Sequence, residues 1–144
     1  MVRVMTIKDY PQVLALWSST VGIGLNPYDD SEQRIGVFLE RNPTSCFVWE
    51  VGDEIIGVIL SGHDGRRGYI YHAAVREDRR SEGIGTALLD AAIAALKAQG
   101  IQKAGMLVIA SNQAGNDYWE KRGWERRGDV YYRNRILKKN EEVL

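Results

Sequence analysis

The chain has 144 residues, a length that suits one domain, residues 1–144, with a substantial core. Nineteen basic and nineteen acidic residues cancel, which removes the general electrostatic argument for nucleic acid or an anionic membrane as partner. Cys46 is the only cysteine, so an intrachain disulfide and a cysteine-rich metal site are excluded. No apolar stretch approaches the length of a membrane span, and the first thirty residues lack the basic-then-apolar order of a signal peptide. The expectation is a cytoplasmic protein without a metal.

Val2-Arg-Val-Met5 alternates apolar with polar and suits a strand. Thr6 with Asp9 three residues on resembles a capping box. Val13, Leu14, Leu16, Trp17 and Val21 recur at helical spacing, so a helix covers roughly 7 to 20 with Pro11 in its first turn. Turn formers from Gly22 to Asp30 break it. Ser31 caps a second helix with Ile35, Phe38 and Leu39 inward and Asn42-Pro43 as its stop. Residues 45–51 and 54–60 read as a hairpin across Gly52-Asp53. A turn at 64–68 leads to a strand from Tyr69 to Val75.

After that strand comes Arg76-Glu-Asp-Arg-Arg-Ser-Glu-Gly-Ile-Gly-Thr86, and then a helix whose apolar face is Ile84, Leu88, Ala91, Ala92, Ala95 and Leu96, with Gly100 at its end. Residues 103–109 form a strand parallel to the previous one after the crossover. A helix from Asn112 to Gly123 follows, then a hairpin from Trp124 through Gly128-Asp129 to Ile136, and a charged, frayed tail from Lys138 to Leu144.

The turn at 79–86 is where chemistry is legible. A helix start leaves backbone N–H groups without intrahelical partners and carries partial positive charge, so it favours an anion. Gly83 and Gly85 have no Cβ to hold a phosphate off the main chain, and Arg79 and Arg80 can add charge-assisted hydrogen bonds. The spacing is neither that of a P-loop nor the Gly-x-Gly-x-x-Gly of dinucleotide folds. A tight structural turn between strand and helix would carry the same residues.

Arg80-x-x-Gly83-x-Gly85 is similar to the Arg/Gln-x-x-Gly-x-Gly/Ala signature of the GNAT N-acetyltransferase superfamily. The stretch from Asn112 through Tyr118-Trp119 to Gly123-Trp124 resembles that family's second signature, Asn-x-x-Ala-x-x-aromatic-Tyr-x-x-x-Gly-Phe. The order of elements is also the family's, so the resemblance covers almost the whole chain and points toward its ribosomal-protein alanine acetyltransferase-like branch. It implies an α/β (α+β) fold with a mixed six- to seven-stranded sheet flanked by about four helices.

The resemblance further implies acetyl-coenzyme A as cofactor, coenzyme A as product and an amine acceptor attacking directly in a ternary complex. It places the backbone of Ala73 and Ala74 along the pantetheine arm, between strands 69–75 and 103–109 that part from one another. The Val75 N–H becomes the donor to the thioester carbonyl. Arg80, Ser81, Glu82, Gly83, Ile84, Gly85 and Thr86 hold the diphosphate, with Asn112 and Trp119 completing the cofactor site. A homodimer is common in the family and stays open here.

The proton-handling residues depart from the family pattern. The family's tyrosine falls on Trp119, which has no acidic proton to give, and Tyr118 lies one helical step away. The glutamate base of the alanine-acetylating branch falls on Leu107, and that of histone-acetylating relatives falls near Tyr69. By period two, Tyr69 and Tyr71 share one strand face and His72 takes the other, and the tyrosines are the favoured proton relay. Tyr131 and Tyr132 on the last strand and the acids of Tyr28-Asp29-Asp30 are further candidates, each with a packing or solvated-loop reading. His63, Asp64 and Arg66 read as structural. Three functions stay open: an N-acetyltransferase, a catalytically weak acyl-coenzyme A sensor or assembly module, and a general nucleotide-phosphate binder.

Overall fold

The computed structural model describes residues 1–138; the tail expected from Lys138 on lies, beyond that residue, outside the described part. Two compact units form, Met1–Leu107 and Val108–Leu144. The first unit carries a five-stranded sheet: β1 (Val2–Val4), β2 (Phe47–Val51), β3 (Glu54–His63), β4 (Gly68–Val75) and β5 (Ala104–Met106), in that spatial order. Neighbouring strands are antiparallel from β1 to β4, and β4 with β5 is parallel. Gly52, at φ 60°, makes the turn between β2 and β3 that the sequence placed there.

Helix α1 (Tyr10–Ser18) follows a 3₁₀ turn over Ile7–Asp9, and α2 (Glu32–Arg41) begins where the Ser31 hydroxyl accepts the Arg34 N–H at 3.3 Å. Val21 lies beyond α1 and is exposed, so the expected helix stops short of it. Tyr10, Val13, Leu16 and Trp17 of α1 join Val58 and Leu60 of β3 and Ala74 of β4 in one core cluster. Helix α3 (Ile84–Ala98) covers the opposite face with Ile84, Leu88, Ala92 and Leu96 buried. It ends as its glycine predicts: Gly100 sits at φ 83°, and the Ile101 and Gly100 N–H groups donate to Leu96 and Lys97 carbonyls.

With helices on both sides, β3 is buried along nearly its whole length, and its run Ile55-Ile-Gly-Val-Ile-Leu60 is apolar rather than alternating. Gly57 is where α3 comes closest: a Cβ there would stand 3.0 Å from Leu88 Cδ1 and 3.1 Å from Ile84 Cγ2. Cys46, just before β2, is buried in the core with its thiol on the Ser61 carbonyl of β3, where desolvation pushes it up to about 12 and leaves it inert at neutral pH.

One ion network ties the edge of this sheet to the helix start. Arg3 grips Asp9 through both carboxylate oxygens at 2.8 and 2.9 Å and reaches Glu50 at 3.0 Å. Asp9 also accepts the Thr6 N–H at 2.9 Å, which is half of the expected capping box. Burial would raise the Asp9 pKa, but the guanidinium and the Thr6 N–H favour the charged form and hold it below the usual carboxylate value.

The second unit contains α4 (Gln113–Lys121), capped by Asn112 Oδ1 accepting the Gly115 N–H at 3.0 Å. The hairpin expected over 124–136 is absent: residues 124–138 carry no strand, and Tyr131 and Tyr132 are exposed. The sheet therefore has five strands among the described residues rather than six or seven. The adjacent pairs Tyr131-Tyr132 and Ile136-Leu137 break the period-two pattern, so neither face of an extended segment would be continuously apolar.

Two predictions follow from this packing. Gly57→Val should lose about 1–3 kcal/mol in urea unfolding, because α3 must be pushed off the sheet. Asp9 contributes stability that is complete above its unfolded-chain pKa and is lost as pH falls through its lower folded value. Asp9→Asn should accordingly lower stability at neutral pH and flatten the acid limb of a stability-against-pH curve.

Candidate active site

The site is built around the edge of β4 that β5 leaves open. Parallel pairing joins only Gly68, Tyr69 and Ile70 to Ala104, Gly105 and Met106, although β4 runs on to Val75. β5 is three residues long where seven were expected, and Leu107, just beyond it, is exposed. β4 continues for five residues, Tyr71 to Val75, without a registered partner in β5.

The direction of the peptide groups along that edge follows from β3. The Arg76 N–H donates to the Ile56 carbonyl at 2.8 Å. Antiparallel alternation then turns the Ala74 peptide groups toward β3 and those of Ala73 and Val75 away from it, toward the open edge. The Val75 carbonyl accepts Arg80 Nε at 3.1 Å, consistent with that direction. Ala74 is 6% exposed and its methyl belongs to the core under α1. Of the two alanines, only Ala73 presents its backbone to the open edge.

A β-bulge changes which side chains share a face. Ile59 pairs with Ala73 and Ser61 with Ile70, so Leu60 stands opposite both Tyr71 and His72. Strict alternation is broken there, and His72 joins Tyr69 and Tyr71 on the side of α1 and α2 instead of taking the opposite face. The ring contacts establish this: Tyr71 meets Phe38 of α2 edge-on at 5.5 Å and Tyr69 at 4.8 Å, while His72 meets Trp17 of α1 at 5.0 Å. His72 Nε2 also lies 2.8 Å from Asp30 Oδ1. Sequence reasoning had named His72 and Asp30 separately and had no signal to join them across 42 residues. Between α1 and the loop that follows it, Tyr10, Leu14, Leu25, Asn26, Pro27 and Asp30 line a pocket of about 300 Å³.

Beyond Val75 the chain makes a 3₁₀ turn over Glu77–Arg79, passes Ser81 at φ 67° and Gly83 at φ 82°, and enters α3. Gly83 is the N-cap and no side chain caps the helix, so its first N–H groups, from Ile84 and Gly85, stand outside the intrahelical ladder. A Cβ on Gly83 would meet nothing within 4 Å, so the mouth of the helix is open. Such a concave run of N–H groups suits the diphosphate of coenzyme A. Arg79 is paired with Glu82 through two hydrogen bonds of 2.9 and 3.1 Å, and Arg80 is held on Val75. Both guanidinium groups are engaged within the turn, and the open mouth of the helix is formed by main chain. Ser81 and Glu82 are exposed, Gly85 and Thr86 half-buried.

The remaining sequence candidates belong to the second unit. Asn112 spends its side-chain oxygen on capping α4. Tyr118 lies under the Arg122 guanidinium at 3.5 Å and beside Trp119, which in turn packs on Trp124 at 5.7 Å. Gly123 ends the helix at φ 86°, with the Trp124 N–H on the Trp119 carbonyl. The second signature is therefore, within its own unit, a capped helix with an aromatic cluster at its end. Of the turn expected to be structural, Asp64 bears it out by accepting the Arg66 and Arg67 N–H groups at 2.9 Å each.

Residues 11–124 match the model of the acetyltransferase (GNAT) family. The chain belongs to that family. An acetyltransferase of Sodalis glossinidius is 32% identical to it over 98% of both chains. The GNAT fold is shared with a ribosomal-protein-alanine N-acetyltransferase of Brucella melitensis, at 15% identity and a TM-score of 0.71 over 94% of this chain and 98% of that one. It is shared also with the PaiA N-acetyltransferase of Thermoplasma acidophilum, solved in complex with coenzyme A, at 18% identity and a TM-score of 0.72 over 85% and 87%. This GNAT chain is accordingly an acetyltransferase, and no helix among its described residues is long and apolar enough to cross a membrane.

Proposed function

We propose that this GNAT protein transfers the acetyl group of acetyl-coenzyme A to a primary amine, a protein N-terminus, a lysine or a small-molecule amine, by direct attack within a ternary complex. The observation that carries the reading is the continuity of one edge. The outward-facing peptides of Ala73 and Val75 run into an uncapped, glycine-opened helix start, with no registered β5 strand between them and the opening.

The N–H groups at the start of α3, with Ser81 to Thr86 around them, hold the diphosphate; Ala73 and Val75 hold the pantetheine arm as an added strand would be held. Once bound, acetyl-coenzyme A supplies a thioester activated toward amines. The Val75 N–H donates to the thioester carbonyl oxygen, where negative charge develops during attack. Fixing amine and thioester in one site offsets roughly 7–11 kcal/mol of barrier in the best cases. Asn112, Tyr118 and Trp119 enter through the family pattern alone.

Thiol release with a mixed amine panel tests the reading, and turnover with at least one amine is the expected result. Tight coenzyme A binding with no release would instead make the protein an acyl-coenzyme A sensor. Gly85→Glu should abolish coenzyme A binding in calorimetry while leaving the thermal transition near that of wild type, because the new carboxylate occupies the anion seat. A glutamate in a first helical turn is itself favourable to the helix. Unaltered affinity would remove the diphosphate from the start of α3.

A further inference from the structure

We infer that His72 and Asp30 form a proton-accepting dyad for the acceptor amine, on the face of β4 that the bulge turns toward α1. The inference rests on the N-acetyltransferase reading and supplies the base that Leu107 leaves missing from the family pattern.

The dyad is fixed on every side that the structure shows. His72 Nε2 and Asp30 Oδ1 are 2.8 Å apart, with side-chain exposures of 19% and 12%. A carboxylate only accepts, so the proton of the neutral ring sits on Nε2 and Nδ1 keeps its lone pair. Among the described residues no hydrogen bond is made to Nδ1. Trp17 packs its ring against the imidazole at 75° and is itself 1% exposed, which restricts rotation of the histidine. Asp30 is held by its own backbone: its N–H donates to Asn26, and its carbonyl accepts the Tyr10 hydroxyl at 2.6 Å. Its Oδ2 accepts the Asn26 N–H at 2.9 Å. A histidine oriented by a half-buried carboxylate is an arrangement that general-base chemistry uses.

Position gives the dyad access to both reactants. His72 is three residues before Val75 on the same strand, and Asp30 lines the pocket between α1 and its following loop. The titratable groups around the ring are Asp30 from the loop, Tyr10 from α1, and Tyr69 and Tyr71 from β4. Burial and the carboxylates Asp30 and Glu32 push the Tyr10 phenol up, which keeps it neutral and a donor.

The step is a balanced one. The acceptor ammonium gives one proton to His72 Nδ1, and the freed lone pair forms the C–N bond at the thioester carbonyl as the C–S bond breaks. The second nitrogen proton goes to the departing thiolate, and the proton on Nδ1 passes to solvent.

His72→Gln separates a base from a structural tie, because the glutamine amide can still donate to Asp30 while offering no basic nitrogen. The expected result is unchanged coenzyme A affinity by calorimetry and a kcat lower by about 10²- to 10⁴-fold. That deficit should shrink as pH is raised toward the acceptor's own pKa, since an amine that is already neutral needs no base. Imidazole NMR gives a readout independent of turnover. With only two histidines in the chain, His72 is identified by its absence in the variant, and it should show the Nε2–H tautomer, which Asp30→Asn should deplete. An undiminished kcat in His72→Gln, a deficit equal at every pH, or an Nδ1–H tautomer overturns the dyad and leaves the acetyltransferase reading standing. Failure of the wild-type protein to bind acetyl-coenzyme A or to release thiol with any amine overturns both.

Discussion

Leu60 of β3 stands opposite two residues of β4, and the organisation of the site follows from that mismatch. Without the extra residue, period two would send Tyr71 and His72 to opposite faces of the sheet. With it, both lie under α1 and α2, while beyond it the ladder resumes with Ala74 facing β3 and the peptides of Ala73 and Val75 facing outward. One inserted residue thus sets the side chains of Tyr71 and His72 and the outward peptides of Ala73 and Val75 within five consecutive positions. Bulges commonly serve this purpose beside active sites, because they re-aim a side chain at little cost to the rest of the sheet.

Leaving the edge of β4 open has to be offset elsewhere. A strand edge with unpaired peptide groups is a liability in a folded protein. Here the interior of the sheet supplies the rigidity: β3 is covered on both faces, α3 lies against Gly57 with no room for a methyl group, and α1 contributes Val13 and Trp17 at 0% and 1% exposure. The opening is framed by elements that packing holds firmly, which is what a preorganised acyl-transfer site requires.

Charge is arranged so that arginines shape the turn before α3 more than they line it. Arg76 bridges Glu54 and Asp78, Arg79 bridges to Glu82, and Arg80 lies on the Val75 carbonyl. These exposed pairs contribute little to stability individually. Their effect is to brace a segment in which Ser81 and Gly83 both have positive φ, so that the mouth of α3 itself is main chain. Under α1 the half-buried Asp30 carboxylate is engaged by His72, whose ring meets Trp17.

Local signals in the sequence were enough for the helices and for the glycine-opened start of α3. Helical spacing located α1, α2 and α3, Ser31 and Asn112 announced the starts of α2 and α4, Gly52 announced a turn and Gly100 a helix end, and Gly83 with Gly85 announced a helix mouth without side chains. Each of these depends on residues within one turn or one hairpin of each other. The tertiary structure alone decided the length of β5, the loss of the last hairpin, and which partner the proton-handling groups would have. The bulge arises from pairing between β3 and β4, and the contact of His72 with Asp30 spans 42 residues, so neither leaves a trace in local periodicity. Spacing along a chain reports torsion preferences and amphipathic faces; the meeting of two distant side chains is set by how sheet and helices pack, and that is where this protein's candidate base was found.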